Sequence, residues 1–390
     1  MTKELKDVSV LIMRANPFHN GHAALLQKAL STSKLVVVLI GSSGKARSLK
    51  NPFTFAERKR MIEMWYNNTA GLAMLPAELK IMALQDYPYS NSTWIQSVQS
   101  LVKRAVTAFC VERSREGIPT ILTDIYLTGS DRDDSTWYLS SFPQWKLNLV
   151  PPIDPHLDLS ATSVRKVLYE SNLFASDFAA LELKVPRTTR RFLQDFAGTG
   201  GLETLRREYK YIKMYKDSWK AAPYAPTFVC ADAVVIQSGH VLVVERGAEP
   251  GKGLWALPGG FVKQNQRMED AAIDELMEET GIRLAEGKKG EEITKSMLRG
   301  SIKGKELFDD PERSARGRTI TMAYLFRLDD EKPLPKVKGM NVPDYESNGK
   351  VIVETANAWW IPLDQALSQT DKWFEDHNDI VKIMKDLKDV

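Results

Sequence analysis

Two histidines three residues apart, His19 and His22, close the segment Asn16-Pro17-Phe18-His19-Asn20-Gly21-His22, directly behind the apolar run Val8–Met13. The run reads as a strand that delivers the loop to the edge of a sheet, and a helix is expected from about Ala23 to Leu30. Imidazoles spaced across a glycine at such a helix start make a phosphate-handling device. The rings can donate to non-bridging oxygens, while the unsatisfied N–H groups of the helix point at the same place. Gly21 lets backbone come close to a ligand. A second cluster, Ser160-Ala161-Thr162-Ser163-Val164-Arg165, suits the same chemistry, since small hydroxyl residues open a helix and Arg165 falls in its first turn. Moving a nucleotidyl group requires the protein to align an attacking phosphate with the α-phosphate of a nucleoside triphosphate and to neutralise the charge that develops. His19, His22 and Arg165 are the catalytic candidates for that step, with Asn16, Gly21, Ser160, Thr162 and Ser163 as substrate-binding candidates.

A different phosphate chemistry is written downstream, in Asp274-Glu275-Leu276-Met277-Glu278-Glu279-Thr280-Gly281-Ile282. Glu275, Glu278 and Glu279 stand at i, i+3 and i+4, so on a helix their carboxylates project from one face. Three like charges there repel one another unless cations lie between them, and hard oxygen ligands suit magnesium or manganese. A metal so held can clamp a pyrophosphate and activate water, with Glu279 as the catalytic candidate among its ligands. Gly259 and Gly260 let the preceding loop pack tightly, and Gly281 ends the helix in a conformation glycine favours. Arg246, Arg316 and Arg318 are the basic binding candidates. Arg313, Arg316 and Arg318 form a local cluster suited to one small anion, ordinary loop charge being the alternative.

The elements that must position these residues fall into two sets. Up to about residue 185 strands alternate with helices: Val8–Met13, Ala23–Leu30, Leu35–Ile40, a helix over Pro52–Trp65 with Thr54 and Glu57 at capping-box spacing, a helix around Trp94–Ala108, and strands at Asp124–Thr128 and Trp145–Leu149. That order implies an α/β domain with a parallel sheet and a ligand site beyond the carboxyl ends of its strands. Residues 186–226 form a helical connector, interrupted at Gly198–Gly201 and ending in the linker Ala221–Pro226. A second domain, 227–390, opens with strands Phe228–Gln237 and Val241–Glu245 around a Ser238-Gly239 turn. It continues through the acidic helix, a long loop from Gly300 to Arg318, a strand Thr319–Phe326 and a closing helix near Asn378–Leu387.

Bulk properties agree with two soluble domains. The 390 residues are 43% hydrophobic, enough for two cores. A net charge of +3 carries no electrostatic footprint for nucleic acid. Cys110 and Cys230 fit no disulfide or metal spacing, so reduced thiols in a cytoplasmic protein are expected. Charges at Lys3, Glu4, Lys6 and Asp7 leave no apolar signal segment, and Leu35–Ile40 is far too short to span a bilayer, so no membrane partner is expected. A homo-oligomer stays open.

At these residues the N-terminal part resembles the cytidylyltransferase-like nucleotidyltransferase superfamily, whose signatures are an H-x-G-H loop and an I-S-x-T-x-x-R helix start. They stand here as His19-Asn20-Gly21-His22 and Leu159-Ser160-Ala161-Thr162-Ser163-Val164-Arg165. Within it the likeness runs to nicotinamide mononucleotide adenylyltransferases of the type fused to a Nudix domain, through Gly41-Ser42-Ser43, Asn51–Arg58, Gly129–Leu139 and Phe142-Pro143-Gln144-Trp145. Ser130 and Asp131 occupy the place of a His-Lys-like pair. The resemblance implies a Rossmann-like domain that uses ATP with Mg2+ to convert nicotinamide mononucleotide to NAD, with Gly41, Ser42 and Gly129 binding nucleotide. It implies that Trp94, on a helix capped by Ser92 or Thr93, stacks on the nicotinamide ring; a core tryptophan is the competing reading. Arg58 is either a site residue or a solvated helix residue, and a different adenylyl or cytidylyl acceptor is the rival at this site.

The downstream segment resembles the Nudix box, G-x5-E-x7-R-E-U-x-E-E-x-G-U with U bulky and aliphatic, from Gly260 onward. It departs at Gln266, where the family has glutamate, and at Asp274, where it has arginine. Trp255–Pro258, Arg316–Thr321 and Phe374-Glu375-Asp376-His377 look like the ADP-ribose pyrophosphatase domains fused to this adenylyltransferase, and Glu354 is a further candidate carboxylate. The resemblance implies an α/β/α sandwich that cleaves ADP-ribose to AMP and ribose 5-phosphate. Because the usual arginine braces the acidic cluster, Asp274 is expected to add a fourth negative charge and to slow turnover. The rival is a module that binds ADP-ribose or a related dinucleotide as a regulator.

Overall fold

Val8, Val10, Leu35, Val37 and Leu39 sit at every second position of two neighbouring strands, and that period of two sets them on one face of a sheet. In the computed structural model these strands are β1 (Lys6–Met13) and β2 (Ser33–Ile40), paired in parallel with Val8 opposite Leu35. With β3 (Glu78–Ala83), β4 (Ile125–Gly129) and β5 (Lys146–Leu149) they form a five-stranded sheet in the order β3-β2-β1-β4-β5, parallel throughout. The chain divides into two compact units, residues 1–206 and 207–390, and the division falls inside the expected connector. The structure describes residues 5–130, 134–151, 159–171, 179–283, 293–339, 343–345, 351–353 and 355–387. Glu354 and Asp131 lie outside the described residues. No described helix is long and apolar enough to cross a membrane.

In unit 1 the crossover helices are α1 (Asn20–Leu30), α2 (Phe55–Asn68), α3 (Asn91–Arg115) and α4 (Ala161–Glu170). Val98, Val102, Ala105 and Phe109 of α3, spaced by three and four, pack on the Val8 face of the sheet. Leu35 to Ile40 are fully buried, as a strand covered on both faces requires. α2 starts at a capping box: the Glu57 N–H donates to Thr54 Oγ1 at 3.2 Å and the Thr54 N–H to Glu57 Oε2 at 2.7 Å. Helix α5 (Arg187–Ala197) packs Phe192 and Phe196 on Phe53, and α6 spans Gly200–Ser218. Because β1 is the central strand, the loop at Asn16 leaves from the middle of the sheet's carboxyl edge.

Unit 2 is built on a mixed sheet whose main path is β10-β11-β6-β7-β14. β6 (Thr227–Gln237) turns into β7 (His240–Arg246) through Ser238 and Gly239, at φ 47° and 70°, the two left-handed residues a tight hairpin demands. The short strands β8 (Trp255–Ala256) and β9 (Gly259–Phe261) pair with β7 and β6. Helix α7 (Met268–Thr280) buries Ala271, Ala272, Ile273 and Leu276 against Ala231, Ala233, Val235 and Leu242. α8 (Lys295–Gly300) leads into β10 (Ile302–Phe308), which pairs antiparallel with β11 (Arg318–Arg327), and β11 runs parallel to β6. The expectation of a long loop from Gly300 to Arg318 is therefore wrong over Ile302–Phe308. Lys303, Gly304 and Lys305 are poor strand formers, and pairing with β11 overrides them. β12 (Pro343–Tyr345) pairs with β13 (Val351–Val353), and β14 (Thr355–Pro362), α9 (Leu363–Ser368) and α10 (His377–Met384) close the unit. Both cysteines are free thiols.

Replacing Thr54 by alanine removes the α2 cap and is expected to cost about 1 kcal/mol. The measurement is amide hydrogen exchange across the first turn of α2, which should accelerate while β1 and β2 keep their protection.

Candidate active sites

The unit 1 site is assembled from behind by Arg58 of α2. Its Nη1 donates to the carbonyls of Arg14 and Gly41, both at 2.7 Å, and its Nη2 to the Ser42 carbonyl at 3.0 Å. Arg58 is 1% exposed. Burial pulls its guanidinium down to about 10, so it stays charged at neutral pH. It is neither a solvated helix residue nor open to a ligand: it ties the loops that follow β1 and β2. Asn16 braces the same loop by donating to Asn51 Oδ1 and accepting the Phe53 N–H, each at 3.1 Å. Ser42 takes a positive φ of 52° and its N–H meets Asp86 Oδ1 at 3.1 Å.

The two histidine rings stack at 3.7 Å between centroids, with His19 6% exposed. The His19 N–H donates to His22 Nδ1 at 3.4 Å, which leaves the proton of a neutral His22 on Nε2. Gly21 is buried in the first turn of α1. The second motif comes to the same place. Ser160 caps α4 by accepting the Ser163 N–H at 3.1 Å, and Arg165 donates to Thr162 Oγ1 at 3.0 Å and to the Asn16 carbonyl at 2.8 Å. Burial, with Arg14 nearby, lowers the Arg165 guanidinium. Arg14 and Asp86 belong to this neighbourhood, and the sequence reading missed both. Gly129 ends β4, where a Cβ would stand 2.9 Å from Leu139 Cδ2, so close packing already demands a glycine.

Trp94 is half-buried at the rim of the unit 1 core, 5.4 Å from Trp137 and 6.0 Å from Tyr138 between ring centroids. Neither Ser92 nor Thr93 caps its helix. α3 starts earlier, at Asn91, and Ser90 accepts the Thr93 N–H at 3.3 Å.

In unit 2 a cleft of about 610 Å³ of empty space, including the part open to solvent, is lined by Gly259, Gly260 and Glu279 together with Arg246, Arg316 and Glu375. Arg246 lies 4.1 Å over the ring of Phe374, and Arg316 stands 5.2 Å from Phe261 and 5.9 Å from Phe374. Aromatic faces hold both guanidinium planes, as cation–π contact favours. Of the expected cluster Arg313, Arg316 and Arg318, the first two line this cleft and Arg318 does not. Arg313 forms a buried two-bond pair with Asp376, at 2.9 and 2.8 Å, and Arg318 is bonded to the Asp309 carbonyl. Buried His377 accepts the Leu257 N–H on Nδ1 at 2.9 Å, and burial lowers its pKa. Burial, then the charges of Glu249 and Glu375, push Glu208 of α6 up to about 7, against the pull of Arg246.

The three glutamates of α7 take different stations. Glu279 is 5% exposed, accepting the Gly259 N–H at 3.0 Å and the Thr355 hydroxyl. The Glu275 carboxylate lies against Gly260, where a Cβ would come within 2.7 Å of its Oε1. Glu278 is exposed. Among the described residues no three His, Cys, Asp or Glu groups converge as a closed ligand set. Three carboxylates on one helix face beside a side-chain-free cradle nevertheless offer the hard oxygen donors that magnesium and manganese take. Asp232, 4% exposed and bonded to Thr321, joins Glu279 and Glu375 as the third carboxylate of the cleft lining, and the sequence did not single it out.

The two departures from the Nudix pattern face each other. Gln266 Nε2 donates to Asp274 Oδ2 at 3.0 Å, and Lys295 pairs with the other Asp274 oxygen. The expectation that Asp274 adds a fourth charge to the acidic cluster is corrected: its carboxylate is spent on Gln266 and Lys295. Where glutamate and arginine would form an ion pair, glutamine and aspartate form a hydrogen bond, and a lysine from α8 supplies the missing positive charge.

Comparison with known proteins places both units. Residues 14–167 match the cytidylyltransferase-like family and residues 226–382 the NUDIX domain family. A nicotinamide/nicotinic acid mononucleotide adenylyltransferase of Acinetobacter baylyi is 29% identical over 204 residues, 52% of this chain and 94% of that protein. An ADP-ribose pyrophosphatase of Methanocaldococcus jannaschii is 26% identical over 162 residues, 40% of this chain and 87% of that protein. The crystal structure of a bifunctional NMN adenylyltransferase/ADP ribose pyrophosphatase from Francisella tularensis is similar over 98% of this chain and 99% of its own, at 31% identity and a TM-score of 0.80. A second structure of that bifunctional enzyme, complexed with AMP and a manganese ion, gives 30% identity and 0.78 over the same shares.

Two outcomes follow from these geometries. Arg58→Met strands three buried carbonyls and is expected to cost about 3 kcal/mol or more, read as a large fall in the melting temperature of unit 1. Gln266→Glu combined with Asp274→Arg rebuilds the family pattern but leaves Glu275, Glu278 and Glu279 of α7 as they were. ADP-ribose cleavage across a magnesium and manganese titration should therefore change less than about threefold, a ΔΔG‡ well under the 1.4 kcal/mol of a tenfold change.

Proposed function

The chain belongs to the family that joins a cytidylyltransferase-like domain to a Nudix domain, and on that premise we propose that unit 1 transfers the adenylyl group of ATP to nicotinamide mononucleotide, giving NAD and pyrophosphate, while unit 2 hydrolyses ADP-ribose to AMP and ribose 5-phosphate. The observation that carries the first activity is the bond from Arg165 to the Asn16 carbonyl, which gathers the histidine loop and the second helix start around one space. There His19 and His22 donate to non-bridging oxygens of the α-phosphate. Arg165 and the open N–H groups at the start of α4 take the rest of the triphosphate. Gly41, Ser42 and Gly129 border the nucleotide, and Trp94 offers its face to the nicotinamide ring. Donors fixed before the reaction need no reorganisation as charge grows on phosphorus, and that is where the rate enhancement arises.

In unit 2, Arg246 and Arg316 neutralise the diphosphate of ADP-ribose, with Gly259 and Gly260 bringing backbone close to it. Glu275, Glu278 and Glu279 would hold a divalent cation, magnesium first and manganese equally suited, which when bound supplies charge neutralisation and an acidified water. Glu279, fixed by the Gly259 N–H and the Thr355 hydroxyl, would present its carboxylate to the cation in one orientation. ADP-ribose is what NAD becomes on losing nicotinamide, so one chain makes the dinucleotide and clears its breakdown product. We place this chemistry in the cytoplasm, with small nucleotides as the partners.

The test is a product assay on the full chain with each substrate and divalent metal. His22→Ala is expected to lower kcat for NAD synthesis about 100-fold or more while AMP release from ADP-ribose continues, and Glu279→Gln should do the reverse. Near-parental NAD synthesis by a folded His22→Ala chain would remove the role given to His22. A parent chain that forms neither product would overturn the reading.

A further inference from the structure

His377 of unit 2 is held so that one polar atom of its ring is left to act. The residue is 7% exposed, and its Nδ1 accepts the Leu257 N–H at 2.9 Å. A ring nitrogen that accepts carries no proton, so the proton of the neutral imidazole sits on Nε2. Burial lowers the pKa of the ring; Asp232 and Asp376 oppose this, Arg313 assists it and Glu375 opposes it, and the ring stays neutral at ordinary pH. Among the described residues no acceptor bonds Nε2. A buried donor of this kind is costly to keep without a partner. The segment that carries it is clamped at both ends. The Phe374 N–H donates to the Trp255 carbonyl at 2.8 Å, and Asp376 takes both bonds from Arg313. Between them Glu375 adopts a φ of 46°, uncommon for a residue with a side chain.

The ring stands on the wall of the cleft, and its neighbours say which part. Its centroid is 5.8 Å from that of Phe374, the same ring that lies 4.1 Å from the Arg246 guanidinium and 5.9 Å from that of Arg316. Three donors therefore gather around one aromatic side chain. Leu257, to which the imidazole is bonded, leads directly into Gly259 and Gly260 of the same lining. Building on the ADP-ribose reading of unit 2 above, we infer that His377 is a further substrate-contacting residue of the cleft, whose Nε2–H donates to a non-bridging oxygen of the diphosphate beside Arg246 and Arg316. A neutral donor of fixed direction suits that place, because it aligns the diphosphate without adding a third positive charge. As charge shifts on those oxygens during cleavage, a donor already in position needs no reorganisation. His377 keeps its proton throughout and transfers nothing.

The experiment uses the full chain and follows AMP release from ADP-ribose with magnesium, thermal melting showing that unit 2 is folded. His377→Asn retains an acceptor for the Leu257 N–H where Nδ1 stood and has no atom at the place of Nε2. His377→Gln does the opposite, setting an amide donor at Nε2 and losing the acceptor. His377→Asn is expected to lower kcat/KM for ADP-ribose about 10- to 100-fold, the loss of one hydrogen bond to a charged group. His377→Gln should recover most of that loss. A ring that only braces Leu257 predicts the reverse order, and that result overturns the inference, as does a His377→Asn chain as fast as the parent. If His377→Asn does not fold, His377→Met takes its place, since it matches His377→Gln in length and offers no donor; equal rates for those two overturn the inference. Calorimetric titration with ADP-ribose separates the contact from the reading beneath it. Binding that depends on His377 in a chain releasing no AMP supports the contact and overturns the hydrolysis reading. A chain that releases no AMP and binds ADP-ribose equally well with and without His377 overturns both.

Discussion

An anion site made of loop backbone holds its shape only if something fixes the carbonyls on its far side. In unit 1 that something is the Arg58 guanidinium, which meets the carbonyls of Arg14, Gly41 and Ser42 at once. A guanidinium suits this role because its donors are planar and rigid and its charge survives burial. With the carbonyls taken up from behind, the loops after β1 and β2 are fixed by the protein's own bonds. The stacked histidines, Asn16 and the Arg165 bond all build on that frame. Unit 2 uses a related device: the buried Arg313–Asp376 pair fixes the segment that carries Phe374, Glu375 and His377 to the cleft wall.

The charge distribution of the cleft is organised by contacts among the cleft residues and by a polar trio beside α7. Arg246 and Arg316 are held against aromatic rings, which restricts their motion, and Arg316 also stands 3.9 Å from Glu375. Gln266, Asp274 and Lys295 conserve the local charge balance although two positions of the family pattern have changed. A pattern read one position at a time registers two defects there. Read in space, the changes compensate each other.

The sequence made most of the interior elements legible and few of the peripheral ones. β1, β2, β6 and β7 are apolar runs with clear ends, and the Thr54–Glu57 box marked the start of α2 to within a residue of its true cap. Besides the short strands β8, β9, β12 and β13, the strands that escaped are β3, β10 and β14, each at an edge of its sheet, and in β3 and β10 lysine and glutamate stand in place of a hydrophobic alternation. Their identity depends on partners far along the chain. For the sites, motif spacing picked out the starts of α1 and α4, which the Arg165–Asn16 bond brings together, and the three glutamates of α7. It could not tell a buried arginine from an exposed one, so Arg58 was left open between a site residue and a solvated helix residue, and Arg318, outside the cleft, was grouped with Arg313 and Arg316. Asp86 and Asp232 had no local signal at all, because each acts through a contact across the fold.

The bond from Arg165 to Asn16 closes a loop of 149 residues. Contacts of such sequence separation are the last to be rewarded in folding. At synthesis rates of about 5–20 residues per second, the ribosome needs roughly 7 to 30 s to travel from one partner to the other. Through that interval the nascent histidine loop exists without its opposite wall. A chain truncated anywhere between residues 23 and 160 would carry the complete H-x-G-H signature and still lack its opposite wall. Competence for adenylyl transfer therefore certifies that the chain has been made at least as far as Arg165.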